Sequence, residues 1–142
     1  MSKMAVHFSH SKTDWITPDE FFRKVNKIYR FNLDAAADAD NAQCARFHTK
    51  ENCGLEASWA NARVWINPPY GREIGLWTAK ASKEAKSAQL IVMLVPARTD
   101  TGWWHEAIKT ARPVFLRGRL KFKDAPATAP FPSALLIWDN IA

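Results

Sequence analysis

Asn67, Pro68, Pro69 and Tyr70 stand directly after the apolar run Val64-Trp65-Ile66, and a buried strand that ends in such a turn suits a particular chemistry. Two prolines fix the turn and remove its backbone N–H donors. What the turn presents is carbonyl oxygen, and Asn67 adds a side-chain carbonyl. Such a site accepts two hydrogen bonds from a planar NH2 group, while Tyr70 offers a face to the ring that bears the amine. An exocyclic amine is a poor nucleophile because its lone pair is delocalised into the ring. Acceptors that hold both of its protons favour a pyramidal nitrogen and free that lone pair to attack. A neutral amide has no useful basicity, so Asn67 would orient and polarise the amine rather than remove its proton. The plainer reading is an ordinary Pro-Pro turn after a strand. The hydrophobic strand immediately before it favours the chemical one.

These four residues need elements to carry them, and the chain supplies an alternation of helix and strand. Thr17-Pro18-Asp19-Glu20 reads as a helix start, with Thr17 as N-cap, proline in the first turn and Glu20 closing a capping box; the helix would run to about Tyr29. Residues 31–37 form a short strand that breaks into small residues, and 62–67 a second strand. A helix over 72–86 carries Ile74, Trp77, Ala81 and Ala85 on one face. Residues 89–96 are the most apolar run and predict a central strand covered on both sides. A helix near 101–111 follows, then a hairpin or bulged strand pair over 113–122 around Gly118, a Pro/Ala loop over 124–132, and a last strand over 133–139. The pattern predicts an α/β three-layer domain. Ligands of such sheets bind at the carboxyl ends of the strands. Both Asn67–Tyr70 and the segment Leu33-Asp34-Ala35-Ala36-Ala37-Asp38 fall there.

The 142 residues predict one domain with a proper core, since 47% of them are apolar and disorder needs a far more polar chain. No apolar run approaches the roughly 20 residues of a membrane span, and the opening residues do not read as a signal peptide. Cys44 and Cys53 lack a paired spacing, which predicts reduced thiols in a cytoplasmic protein. His7 and His10 read as part of a solvated, flexible tail over residues 1–14 and not as a metal site; no metal is expected.

Charge divides the chain. Residues 98–123 hold seven basic side chains (Arg98, Lys109, Arg112, Arg117, Arg119, Lys121, Lys123) against two acids, whereas 31–70 hold five acids and three bases. The net charge of +6 points to an anionic partner. A charge run is more often a solvated face, but the interleaved Trp103, Trp104, Phe115 and Phe122 favour nucleic acid.

Taken in order, "TPDEFF", "LDAAAD" followed by "NAQC", "GLEASW", "VWINPPYG", "VMLVPARTDTGWWH" and "LRGRLKF" make the chain from about Trp15 to Asp139 resemble the small phage-type DNA N6-adenine methyltransferases of the Dam family. The Asn-Pro-Pro-Tyr motif itself looks like that of the wider class of S-adenosylmethionine-dependent amino-methyltransferases. The resemblance implies a compact Rossmann-like class I methyltransferase fold, with a mixed sheet and helices on both faces, in a phage or prophage protein of a bacterial host. It implies S-adenosyl-L-methionine as cofactor, with Thr17 and Pro18 at its methionine end and Asp34, Ala35 and Ala36 lining it. Glu51, Asn52, Cys53 and Gly54 match the place where related enzymes put acids for its ribose and adenine. Asn67, Pro68, Pro69 and Tyr70 match the catalytic motif.

The chain departs from that pattern in three places. Alanines follow Asp34 where many methyltransferases have glycines. Cys53 replaces an acid before Gly54, which leaves adenine recognition to Asn52 or to backbone groups. The short interval from Asp34 to Asn67 predicts that a strand and helix of the usual fold are trimmed.

The reading is therefore methyl transfer to adenine N6 in DNA. The reacting amine lies inside the duplex, so the base must be flipped out. Tyr70, Trp103 and Phe122 are candidates to hold it or its neighbours, with core packing equally open for Phe122. Arg98, Arg117, Arg119 and Lys121 would contact phosphates. No separate target-recognition domain is expected, which predicts relaxed sequence specificity. The alternatives are methylation of a protein glutamine amide and a DNA-binding relic of the fold that has lost its cofactor.

Overall fold

Leu90–Pro96 is apolar from end to end and buried at every position, so it demands neighbours on both edges and cover on both faces. The computed structural model, which describes residues 15–51 and 53–139, provides them. The tail over 1–14, with His7 and His10, and Asn52 lie outside the described residues. In chain order the elements are α1 (Asp19–Tyr29), β1 (Leu33–Asp34), β2 (Arg63–Ile66), α2 (Ile74–Glu84), β3 (Leu90–Pro96), α3 (Gly102–Ala107), β4 (Arg112–Phe115) and β5 (Ser133–Asp139). The strands form one mixed sheet in the order β1-β2-β3-β5-β4. The first three are parallel, and β5 runs antiparallel to both β3 and β4.

Register assigns the faces. Val64 pairs with Ile91 and Ile91 with Trp138, whereas Trp65 pairs with Val92 and Val92 with Ile137, so the two sets point to opposite sides. The Trp65 ring meets Phe22 of α1 edge-on at 5.3 Å. On the other side, Trp138 Nε1 donates to Thr110 Oγ1 at 2.9 Å, and Thr110 Oγ1 lies 2.7 Å from Ser82 Oγ of α2. Helices thus cover both faces of a mixed sheet, as the class I methyltransferase-like reading requires.

Four expectations about local structure need correction. Thr17 does not cap α1. Pro18 holds the cap position with extended backbone and no side-chain cap bond, and since proline has no N–H, Glu20 cannot close a capping box onto it; Glu20 instead sits 3.7 Å from Lys24. The strand expected over 31–37 shrinks to Leu33–Asp34, because the chain turns back after Asp34 and residues 46–48 run alongside it, bridged through Phe47. No hairpin forms over 113–122. β4 takes β5 as its partner, with Val114 opposite Leu135, because β5 is buried from Ser133 to Trp138 and offers an apolar edge that the basic segment 117–121 cannot. The helix expected over 101–111 is also shorter, and Thr101 caps it by accepting from the Trp104 N–H at 3.3 Å.

Candidate active site

Because β1, β2 and β3 are parallel, the carboxyl ends of all three lie on one edge of the sheet. The antiparallel course of β5 adds to that edge. Pro96 pairs with Ser133 and Phe115 with Ala134, so the segments 97–101 and 116–132 both emerge there. A cleft of about 830 Å³ opens on this edge, lined among others by Thr17, Asp34, Ala35, Cys53, Gly54 and the whole of Asn67–Tyr70. That volume lies within the range of small-molecule and cofactor sites.

Asn67 is the best-defined group in the cleft. Its Nδ2 donates to the Trp15 carbonyl and, at 3.0 Å, to Thr17 Oγ1. The Trp15 carbonyl can only accept, so the NH2 end of the carboxamide must face it and Oδ1 must face the other way. Asn67 Oδ1 is buried and has no hydrogen-bond partner among the described residues. A buried carbonyl oxygen without a donor is costly, and a donor brought by a ligand would relieve it.

Tyr70 is held rather than free. It is 7% exposed, its hydroxyl donates to the Leu94 carbonyl at 3.2 Å, and burial pushes the phenol well above its ordinary range. Its ring meets Phe122 edge-on at 6.4 Å and Phe131 at 5.8 Å. Phe122, read from sequence as a base platform or as core, is core: at 1% exposure it backs Tyr70 and the Trp15 ring, the latter at 5.4 Å, and has no surface left for a base.

The other end of the cleft is shaped by backbone. Asp34 closes β1 at 3% exposure, and its carboxylate accepts from the N–H groups of Gln43 at 2.9 Å and Ala36 at 3.3 Å. Burial raises its pKa to about 6 against the pull of those two bonds. Asp34 therefore holds the 35–43 loop in shape as well as lining the cleft. Gly54 approaches the Ala35 carbonyl so closely that a Cβ there would lie 2.0 Å from the oxygen. Two chain segments meet at that point with no side chain between them, which leaves the space beside them to a ligand. Cys53 lines this end. At Cys44, burial and then Asp34 push the thiol up to about 12, which disfavours the thiolate. Among the remaining candidates, Ala36 lines the cleft, whereas Pro18 and Glu51 stand outside the lining; the Glu51 carboxylate accepts from Thr49 Oγ1 at 3.0 Å.

The basic segment divides into paired and unpaired charges. Arg112 binds Asp139 at 2.8 Å, Lys109 binds Glu106 at 2.7 Å and Lys123 lies 3.4 Å from Asp19. Arg98, Arg117, Arg119 and Lys121 are exposed and have no acidic partner among the described residues. Arg98 lies over the Phe131 ring at 5.7 Å, while Arg119 and Lys121 donate to the Ala129 and Ala125 carbonyls at 3.3 and 2.7 Å. All four emerge on the edge that bears the cleft. Trp103 does not line it. The indole is half-buried at the start of α3, beside Trp104 at 6.0 Å and close to Gly75 of α2.

The family model for DNA N-6-adenine-methyltransferase (Dam) matches residues 6–136. The chain belongs to the Dam family. A DNA N-6-adenine-methyltransferase of Escherichia phage T1 is 36% identical over 99 residues, which is 68% of this chain and 41% of that relative. A DNA N-6-adenine-methyltransferase of Haemophilus phage HP1 is 26% identical over 102 residues, 70% of this chain and 59% of the relative. The matched stretch is therefore well short of the full length of both phage proteins.

Several features of the cleft lay outside sequence reasoning. Trp15 contributes a backbone carbonyl, to which its side-chain identity gives no clue. Gly54 was legible as the end of the 51–54 match but not for its close approach to the Ala35 carbonyl. Gln43 acts through its N–H, nine residues after Asp34; its place in "NAQC" was the only signal. Trp77, read as core, also reaches the cleft wall, and its Nε1 is buried without a partner among the described residues.

Proposed function

We propose that the chain transfers a methyl group from S-adenosyl-L-methionine to the exocyclic N6 of adenine in DNA, on a base turned out of the helix into the cleft. The observation that carries this reading is Asn67 Oδ1, buried, without a partner among the described residues and fixed in orientation at the end of β2. An adenine amino group supplies the donor that oxygen lacks. With a proton of the amine held there, and a second acceptor available from the proline turn, the nitrogen lone pair is freed from the ring. S-adenosyl-L-methionine, when bound, supplies the electrophilic methyl.

The residues present fit such a cofactor. The Gly54–Ala35 approach opens a flat backbone wall, and Asp34 shapes the loop beside it. Thr17 stands at the Asn67 end of the same cleft. Tyr70, anchored on Leu94, keeps the turn rigid so that Asn67 needs no reorganisation as the amine reacts. The unpaired Arg98, Arg117, Arg119 and Lys121 would hold the phosphates of the same strand. The 124–132 loop offers few donors for base edges, which favours relaxed sequence specificity.

The deciding experiment is incubation with labelled S-adenosyl-L-methionine and either duplex DNA or a protein mixture, followed by digestion of the DNA to nucleosides. Label in N6-methyl-2′-deoxyadenosine is the expected result. Label in a protein glutamine would move the reading to another acceptor, and cofactor binding without transfer to either would leave only the fold.

A further inference from the structure

Asn67 is useful only if its carboxamide is turned the right way, because a carboxamide flipped by 180° would offer the substrate a donor in place of an acceptor. The agents that set the flip come from a segment 50 residues away. The Trp15 carbonyl and Thr17 Oγ1 are the two acceptors of Asn67 Nδ2, and they flank Ile16. That segment is itself fastened: the Ile16 carbonyl accepts from the Lys123 N–H at 3.0 Å, and the Trp15 ring packs on Phe122 and Phe131 at 5.4 and 5.3 Å. Thr17 is 3% exposed, so water has little room to replace its hydroxyl.

We propose that Thr17 is a positioning residue of the methyl-transfer site: with the Trp15 carbonyl it fixes the Asn67 carboxamide so that Oδ1 meets the incoming amine. The identity of that amine rests on the proposed function; the positioning itself does not. A hydroxyl that accepts from Asn67 keeps its own proton to donate, so a cofactor contact from the same residue is compatible with this role. The mount also joins the reacting group to the basic segment, since Lys123 and Phe122 secure the strap that carries Thr17.

Thr17→Val keeps the side-chain shape and removes the acceptor, whereas Thr17→Ser keeps the acceptor. The expected result is a fall in kcat of about 10- to 100-fold for Thr17→Val, the scale of a small misplacement of a reacting group. KM for DNA should move by less than about threefold, with Thr17→Ser close to the parent protein in kcat. The Asn67 side-chain NH2 signals, assigned in a 15N spectrum by their disappearance in Asn67→Ala, should move in Thr17→Val and stay in place in Thr17→Ser. If Thr17→Val fails to fold, Thr17→Ala carries the same comparison. Unmoved NH2 signals would overturn the proposal, as would a Thr17→Val defect confined to cofactor affinity with kcat intact. Should the parent protein methylate no DNA, the proposed function falls, while the NH2 signals still decide whether Thr17 orients Asn67.

Discussion

Gly54 and Ala35 belong to segments separated by a long loop, yet no side chain fits between them: a Cβ on Gly54 would stand 2.0 Å from the Ala35 oxygen and 3.2 Å from Cη2 of Trp77. The obstructing oxygen is backbone, tied to the sheet through Ala35 N–H to the Trp65 carbonyl at 3.1 Å, so it cannot swing aside. Gly54→Ala should therefore displace this end of the cleft. Overpacking of this kind costs about 1–3 kcal/mol, and the melting temperature and the affinity for S-adenosyl-L-methionine should both fall. Gly102→Ala, where nothing lies within 4 Å, is the control. If both variants bind cofactor as the parent does, the close approach has no bearing on the site.

Asn67→Ala should remove transfer and little else. Loss of a preorganised polar contact at a reacting centre costs about 100- to 1,000-fold in turnover, while cofactor affinity should stay within several-fold of the parent. Single-turnover methylation and a cofactor titration on the same preparation separate the two. Substantial residual turnover would show that the proline turn alone suffices.

Asp34 predicts a pH dependence of stability. Its pKa is raised from 3.8 to about 6 in the folded protein, so between those values the native state binds more protons than the unfolded one and stability falls as pH rises. The contribution is fully present below about pH 4 and lost above about pH 6, and it amounts to at most about 3 kcal/mol for a two-unit shift. Comparing thermal melts of the parent and Asp34→Asn from pH 4 to 7 isolates it from other groups. The parent should lose ground to the variant across that window. Parallel curves would mean that the Gln43 and Ala36 N–H groups offset the burial of the charge.

Arg119 and Lys121 test whether DNA lies along the edge that bears the cleft. Replacing both with alanine should weaken binding to all duplex sequences alike and flatten the log–log salt dependence by about 0.9 per lost phosphate contact. A slope equal to that of the parent would place the phosphate track elsewhere.

Phe122→Ala should act through stability, with a cost of about 3–5 kcal/mol for a fully buried aromatic. A variant that melts like the parent but no longer binds DNA would restore Phe122 to the surface role that its burial argues against.

How much of this was legible in the sequence followed the range of the forces involved. Asn67–Tyr70 could be read as a site because a hydrophobic strand, two N–H-less prolines and an amide are neighbours in the chain, and their chemistry is complete within the seven residues from Val64 to Tyr70. The central strand at 89–96 was equally plain, since continuous apolarity leaves only a doubly covered position. The alternation of elements was enough to imply an α/β sheet with ligand-binding strand ends. Thr17 misled because a threonine before Pro-Asp-Glu carries a local capping signal, and a tertiary contact with Asn67 outweighed it. The 113–122 hairpin failed for the same reason: β4 had a better partner in β5, which starts eighteen residues further on. Strand pairing also decided where the charges went. The parallel course of β3 brings Arg98 to the edge that holds the cleft, and the antiparallel insertion of β5 between β3 and β4 brings the 117–121 bases there. The direction in which Asn67 points was beyond local reading altogether, because a backbone carbonyl at Trp15 decides it, and a carbonyl leaves no mark in the identity of the residue that bears it.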